Sequence, residues 1–154
     1  MSTVVIDNII YKKISSYSAV VGRGGTEQHT AIYDLKQVQS KVNIEESVVI
    51  NGKKLVVTEL AYGSFGNMSG ISHIVIPNTI EVINSYSFWL CSSLENITFL
   101  PGSRLKKFGL YVLDGVKIKE LKLPSTLSTI SKYFVHNVYY HMKFTYISNN
   151  IIKH

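Results

Sequence analysis

Among side chains able to form a covalent intermediate or hold a metal, this sequence offers one cysteine, Cys91, and five histidines, His29, His73, His136, His141 and His154. A nucleophilic thiol needs a basic partner to ionise it, and no histidine shares a local constellation with Cys91. Zinc sites pair histidines and cysteines at short, fixed spacings. Here the histidines are scattered, and His136 and His141, in a turn region, do not read as a ligand pair. Acid–base chemistry needs two carboxylates brought onto one substrate; Glu45 and Glu46 are sequence neighbours at an expected strand end and read as solvent-facing. The glycines of VGRGGTEQHT lack the GxxxxGK[ST] pattern of a phosphate loop. No catalytic centre is predicted, so the chain is not expected to be an enzyme, and no cofactor or metal is called for.

Charge gives a second kind of candidate. The net charge is +6, and six basic residues, Arg104, Lys106, Lys107, Lys117, Lys119 and Lys122, stand against Asp114 and Glu120 in one stretch. Such a patch suits an acidic partner, a glycan or another anionic ligand, or else is a solvated lysine-rich surface. The interleaving of aromatic and basic residues found in RNA binders is missing, so no nucleic-acid partner is expected. The start, MSTVVIDNIIYKK, has no basic segment ahead of an apolar run and reads as no signal peptide. No apolar run approaches the ~20 residues that span a bilayer. These features by themselves point to the cytoplasm. Two glycosylation sequons, at Asn67 and Asn96, read as chance without a secretory route.

What must position any such residue is a repeat. ISHIVIPNTIEVINSYSFWLCSS, LENITFLPGSRLKKFGLYVLDGVK and IKELKLPSTLSTISKYFVHNVYY follow one another from Ile71 to Tyr140. Each opens on apolar residues spaced by three and then two: Ile71, Ile74, Ile76; Leu94, Ile97, Phe99; Ile118, Leu121, Leu123. The gap of one residue sends two side chains to the same face of a strand. The three prolines, Pro77, Pro101 and Pro124, follow at the same phase and end each strand. Beyond them come further columns: Ile80, Leu105, Leu127; Ile83, Phe108, Ile130; Tyr86, Tyr111, Tyr133; Phe88, Leu113, Val135; Cys91, Val116, Val138. The tyrosines are expected in the core or half in it. Self-similarity at about 23 residues predicts a solenoid whose coils stack because one coil cannot cover its own open faces.

The pattern LxxLxLP, then an apolar residue, then YxF and a cysteine or small residue, resembles the BspA-like (treponemal-type) leucine-rich repeat. Ile71, Ile74, Ile76, Pro77, Ile80, Ile83, Tyr86, Phe88, Cys91 and Leu94 carry the resemblance best. The second repeat departs by extra residues around Leu100–Arg104 and by Leu113 for phenylalanine; the third has Val135 and Val138 for phenylalanine and cysteine. The resemblance implies a surface protein that adheres to matrix or cell-surface proteins, and an inserted hairpin near the N-terminus.

The expected architecture is a β-rich leucine-rich repeat solenoid in one domain, with about five short parallel strands, returns of turn or short helix, and an N-terminal β-hairpin cap. Residues 1–38 form the cap, from two strands around VVIDNIIYKKI and SYSAVV, while AIYDLKQVQ suits a helical turn or a strand. Residues 39–70 form a first coil at KVNIEESV with a hairpin inserted over 48–57, signalled by Asn51-Gly52. Residues 71–140 hold the three repeats, and 141–154 a capping strand and tail, with Ile151 and Ile152 folding back as cover; otherwise the C-terminal edge favours homo-oligomers or makes the chain part of a longer array. If the opening strands line the inner curve, His73, Val75, Asn96, Thr98, Glu120 and Lys122 face outward from it as a partner surface, flanked by Asn43, Lys143 and Thr145. The function expected is a non-catalytic protein-interaction module. An intracellular scaffold and an anion binder using the basic stretch are the alternatives.

Overall fold

The structure is a computed structural model that describes residues 2–25, 30–137 and 141–147. Its first strands are β1 (Thr3–Ile6), β2 (Ile9–Lys13) and β3 (Ser18–Val21), an antiparallel meander. The segment expected as one strand, VVIDNIIYKKI, is thus two. Asp7 and Asn8 turn between them at φ 47° and 65°, the left-handed pair that a two-residue hairpin requires. A single 3-10 turn, Leu35–Gln37, follows, its first N–H groups capped by the Asp34 carboxylate 2.9 Å from the Lys36 amide.

The solenoid begins with β4 (Lys41–Asn43), then β5 (Ser47–Ile50) and β6 (Lys53–Leu60), a hairpin closed by Asn51-Gly52. Onward run β7 (His73–Ile76), β8 (Val82–Ile83), β9 (Asn96–Phe99), β10 (Lys107–Phe108), β11 (Glu120–Pro124), β12 (Thr129–Ile130) and β13 (Lys143–Ile147). Strands β4, β7, β9, β11 and β13 are the five opening strands of successive coils. Strands β6, β8, β10 and β12 form a second parallel run on the opposite wall of the coil. This run is continuous with the cap, because β3 pairs β6 in parallel and gives the order β1-β2-β3-β6-β8-β10-β12. The long strand of the hairpin, β6, is a member of that sheet.

Register follows the columns. Ile74 pairs Val42 and Ile97, and Phe108 pairs Ile83 and Ile130. The core is what these columns bury: Ile71, Leu94 and Ile118; Ile74, Ile97 and Leu121; Ile80 and Leu105; Phe88 and Leu113; Cys91 and Val116. In the fourth coil it thins. Leu127 and Val135 are half-buried and Ile130 is 38% exposed; Val138, Ile151 and Ile152 lie outside the described residues. Within the solenoid the returns are turns, with no helix among the described residues.

Those turns carry a feature that the apolar pattern does not show. Each coil enters the left-handed region twice, four residues apart: Gly63 and Asn67, Tyr86 and Leu90, Tyr111 and Gly115, Tyr133 and Asn137. A side chain there costs roughly 1–2 kcal/mol. The tyrosines offset this by stacking from coil to coil. Tyr62–Tyr86, Tyr86–Tyr111 and Tyr111–Tyr133 have ring centroids 5.2, 5.4 and 5.9 Å apart, a geometry worth about 0.5–1.5 kcal/mol a pair. So the tyrosine column is a rim ladder, half-buried at Tyr86 and Tyr111 as expected and 45% exposed at Tyr133. Leu90 has no such compensation, at φ 53° and 39% exposed. Leu90→Asn, the residue used in two other coils, is expected to raise stability by about 0.5–1 kcal/mol. A thermal melt should move upward; a fall would show that Leu90 packing outweighs its backbone strain.

Candidate functional site

The residues between the apolar positions of the opening strands share one face of the coil stack. His73 and Val75 on β7 are half-buried, as is Thr98 on β9, while Asn96, Glu120 and Lys122 are exposed. His73 Nε2 and Thr98 Oγ1 share a hydrogen bond of 2.8 Å across β7 and β9. This locks two neighbouring coils on the face itself.

The opening strands do not form one sheet. β4-β7-β9 is one and β11-β13 another, with no ladder between β9 and β11 among the described residues. The strands remain neighbours, joined at one end by the Lys117 amide donating to Leu94 O at 2.9 Å. Two features of the chain coincide with the break. The coil from Leu94 to Lys117 is one residue longer than its neighbours, through the Leu100–Arg104 turn. Pro124, at the end of β11, has no N–H to give a neighbouring carbonyl.

Between the two sheets lies a cleft of about 800 Å³ lined by Glu95, Asn96, Ile97, Thr98, Phe99, Lys117, Lys119, Glu120 and Lys122. It therefore gathers four of the residues read as a partner surface (Asn96, Thr98, Glu120, Lys122) with two read as a basic patch (Lys117, Lys119). His73 and Val75 stand on the next strand, outside the lining. The rest of the basic stretch goes elsewhere. Lys106 and Lys107 sit at β10 on the second sheet, with Lys106 Nζ 3.4 Å from Glu81 Oε2, and Arg104 is in the preceding turn. A stretch contiguous in sequence runs around the coil and so reaches two walls. Glu95, which no pattern singled out, joins the cleft because it immediately precedes β9.

Elsewhere the titratable groups are structural. Cys91 is fully buried, and its thiol donates to Phe65 O at 2.9 Å. Burial pushes its pKa from 9.0 up to about 12, partly offset by a hydrogen bond from the backbone at Met68. Burial likewise raises Tyr11 to about 12, while its phenol oxygen accepts from the Glu45 amide at 3.0 Å. Both groups are held neutral. The stability they give is complete below their unfolded values, 9.0 and 10.0, and is lost as the pH rises from there toward about 12. Iodoacetamide at pH 8 is expected to label Cys91 only as fast as the fold opens; rapid labelling of native protein would contradict that burial. On the tyrosine rim, buried Asp114 accepts from Trp89 Nε1 at 3.2 Å and lies 3.8 Å from His136 Nδ1. His136 stands edge-on to Tyr111 and Tyr133. Among the described residues no three metal-ligating side chains cluster, and no helix is long and apolar enough to cross a membrane.

With this geometry the family is decided by residues 39–153, which match the BspA type leucine rich repeat region in six copies. The chain belongs to the BspA-type leucine-rich repeat family. Solved structures share its fold. The pneumococcal vaccine antigen PcpA is 24% identical at a TM-score of 0.74, over 96% of this chain and 38% of that one. A leucine-rich repeat protein from Bacteroides capillosus is 19% identical at 0.74, over 96% of this chain and 100% of that one. A leucine rich cell surface protein from Faecalibacterium prausnitzii is 15% identical at 0.62, over 94% and 42%. The BspA-type chain thus spans well under half of the first and third proteins and the whole length of the second. No curated protein matches it in sequence.

Proposed function

We propose that this BspA-type chain is a non-catalytic protein-interaction module whose partner contacts the face of the opening strands, and that it serves adhesion at a cell surface. The observation that carries the reading is the cleft between β9 and β11, where exposed Asn96, Glu120 and Lys122 meet Lys117 and Lys119 on one face. Repeat solenoids present extended faces of this kind to partners. Charge of both signs in the lining, Glu95 and Glu120 among the lysines, suits a protein surface better than a polyanion. With Lys106 facing Glu81 on the other wall, the basic stretch offers no single field for a glycan. The surface role draws on two proteins of the same fold, one a vaccine antigen and the other a cell surface protein by name.

The test is binding to immobilised extracellular-matrix proteins, repeated with Asn96, Glu120 and Lys122 changed together to alanine. All three are exposed, so the melting temperature should hold while binding falls about tenfold or more, as removal of several interface contacts does. Undiminished binding by the triple variant would move the partner off this face. Retention on heparin that did not weaken with salt would count against the anion reading.

A further inference from the structure

The two ends of the coil stack are finished differently. At the N-terminal end the cap closes the core, burying Ile9, Tyr11, Val21 and Ile32 with Val42 of the first coil. At the other end, columns that are buried in earlier coils come to the surface. Leu121 and Leu123 on β11 are each 1% exposed, whereas their register partners on β13, Phe144 and Tyr146, are 36% and 62% exposed. On the opposite wall Ile130 is exposed, although Ile83 and Phe108 of the same column are buried. The backbone of β13 is open in the same direction. Successive residues of a strand turn their hydrogen-bonding groups to alternate sides. The Lys143 amide bonds Lys119 O at 2.8 Å, so the groups of Lys143 and Thr145 serve β11. Those of Phe144 and Tyr146 point the other way, where no strand pairs them among the described residues.

We infer that this edge is taken by the same edge of a second copy of the chain, giving a two-fold dimer joined through antiparallel β13 strands. The inference goes beyond the interaction reading above and does not depend on it. An open strand edge is a template for another strand, and β13 is complementary to itself. Centred on Thr145, an antiparallel pairing sets Phe144 opposite Tyr146 of the second copy, and Tyr146 opposite its Phe144. These are the residues with open backbone groups, so each such pair exchanges two hydrogen bonds, four in all. Their side chains share one face of the strand, so the same register lays aromatic against aromatic at the open end of the core. The one charge of β13, Lys143, then lies about 14 Å from its copy, beyond the ~8 Å screening length of physiological salt. Because the cap closes the other end of each copy, the contact joins like ends and stops at two. The two-fold axis leaves Lys143 and Thr145 of both copies on one side, so the two faces of opening strands are offered to a partner together, a bivalent arrangement.

Sedimentation equilibrium of the full chain should show twice the protomer mass, falling toward one on dilution. A single-chain mass at all concentrations up to about 100 μM, well above a micromolar dissociation constant, would mean that the chain itself or a different protein covers this end, and would overturn the proposal. Tyr146→Pro removes an N–H that β11 does not use, a place where an edge strand tolerates proline. Its dimer should weaken about tenfold or more, the effect of losing two hydrogen bonds; an unchanged dimer would overturn pairing through β13. Cross-linking reads the register without disturbing that backbone. Thr145→Cys sets two thiols across the axis at a non-hydrogen-bonded pair, with Cα atoms about 4.5 Å apart, within reach of a disulfide, and the native Cys91 is fully buried. This variant should oxidise to a linked dimer at least about tenfold faster than Lys143→Cys, whose thiols stand too far apart to bridge. Equal rates for the two would mean chance collision and would overturn the dimer proposed.

Discussion

Phe88→Ala is expected to destabilise the protein by about 3–5 kcal/mol, the range for emptying a fully buried aromatic site. Phe88 has no exposed surface and stacks on Phe65 of the preceding coil, with centroids 6.0 Å apart and planes 14° from parallel. Leu113 occupies the same column in the next coil. The ring is therefore the central member of a three-coil stack, and its loss leaves a void that neither neighbour can fill without moving its own coil. At about 2–4 °C per kcal/mol for a chain of this size, the melt should fall by roughly 6–20 °C. Phe88→Leu imitates the next coil and keeps most of the volume, so it should cost under about 1.5 kcal/mol. If the two substitutions cost the same, coil-to-coil stacking is not what the column supplies.

Gly109→Ala is expected to cost about 3 kcal/mol for a different reason. Gly109 does not need a left-handed backbone; it needs the absence of a Cβ. A methyl group there would overlap the Ser85 amide nitrogen and come within 2.7 Å of Ser85 Oγ and 2.8 Å of Ser85 Cα. The obstruction is mainly backbone of the adjacent coil, which cannot rotate away. Gly109 itself donates to Ile83 O at 2.9 Å, and Ser85 Oγ accepts from the Leu110 amide at 3.0 Å, so relief would also disturb bonds joining the two coils. Overpacking of this kind falls at the upper end of the usual 1–3 kcal/mol, about 6–12 °C in the melt. Gly52→Ala is the control. Its φ is +74° but nothing lies within 4 Å of the added methyl, so only the backbone penalty, roughly 1 kcal/mol, should appear. A smaller effect at Gly109 than at Gly52 would show that the coils can slide apart.

The fold was readable because its two strongest signals agree. Spacing by three and two put Ile74 and Ile97 on one strand face, and proline at constant phase marked where each strand ends, so register followed from columns alone. The family resemblance rested on those same residues. Other features left no apolar trace. The Asp7-Asn8 turn interrupts a run whose hydrophobicity continues through it. The left-handed positions alternate Gly, Asn, Tyr and Leu, so only alignment of coils reveals that Gly63 and Tyr86 share a conformation. The tyrosines were expected in the core or half in it because they are aromatic and in register; Tyr86 and Tyr111 are half-buried, and a positive φ carries the column to the rim, where Tyr133 is exposed.

At the candidate site, Asn96, Glu120 and Lys122 lie at exposed positions of the opening strands, and His73, Val75 and Thr98 at half-buried ones. Alternation could not show the break between β9 and β11, which is a matter of backbone spacing. The extra residue in the Leu100–Arg104 turn is the feature of the sequence that coincides with it. Nor could a linear count of lysines show that Arg104, Lys106 and Lys107 leave for another wall while Lys117 and Lys119 stay. In a coil of about 23 residues, half a turn separates neighbours by a dozen positions.

The two walls of the solenoid differ in continuity: β6-β8-β10-β12 is unbroken, whereas the opposite wall is divided after β9. At that joint the two coils are held by the short β10-β12 pair on the intact wall, by the Lys117 amide on Leu94 O, and by the Tyr111 and Leu113 amides on Tyr133 O and Phe134 O. With one ladder where the two preceding joints have two, each of these bonds carries a larger share of the coil-to-coil cohesion there than its counterpart does in those joints.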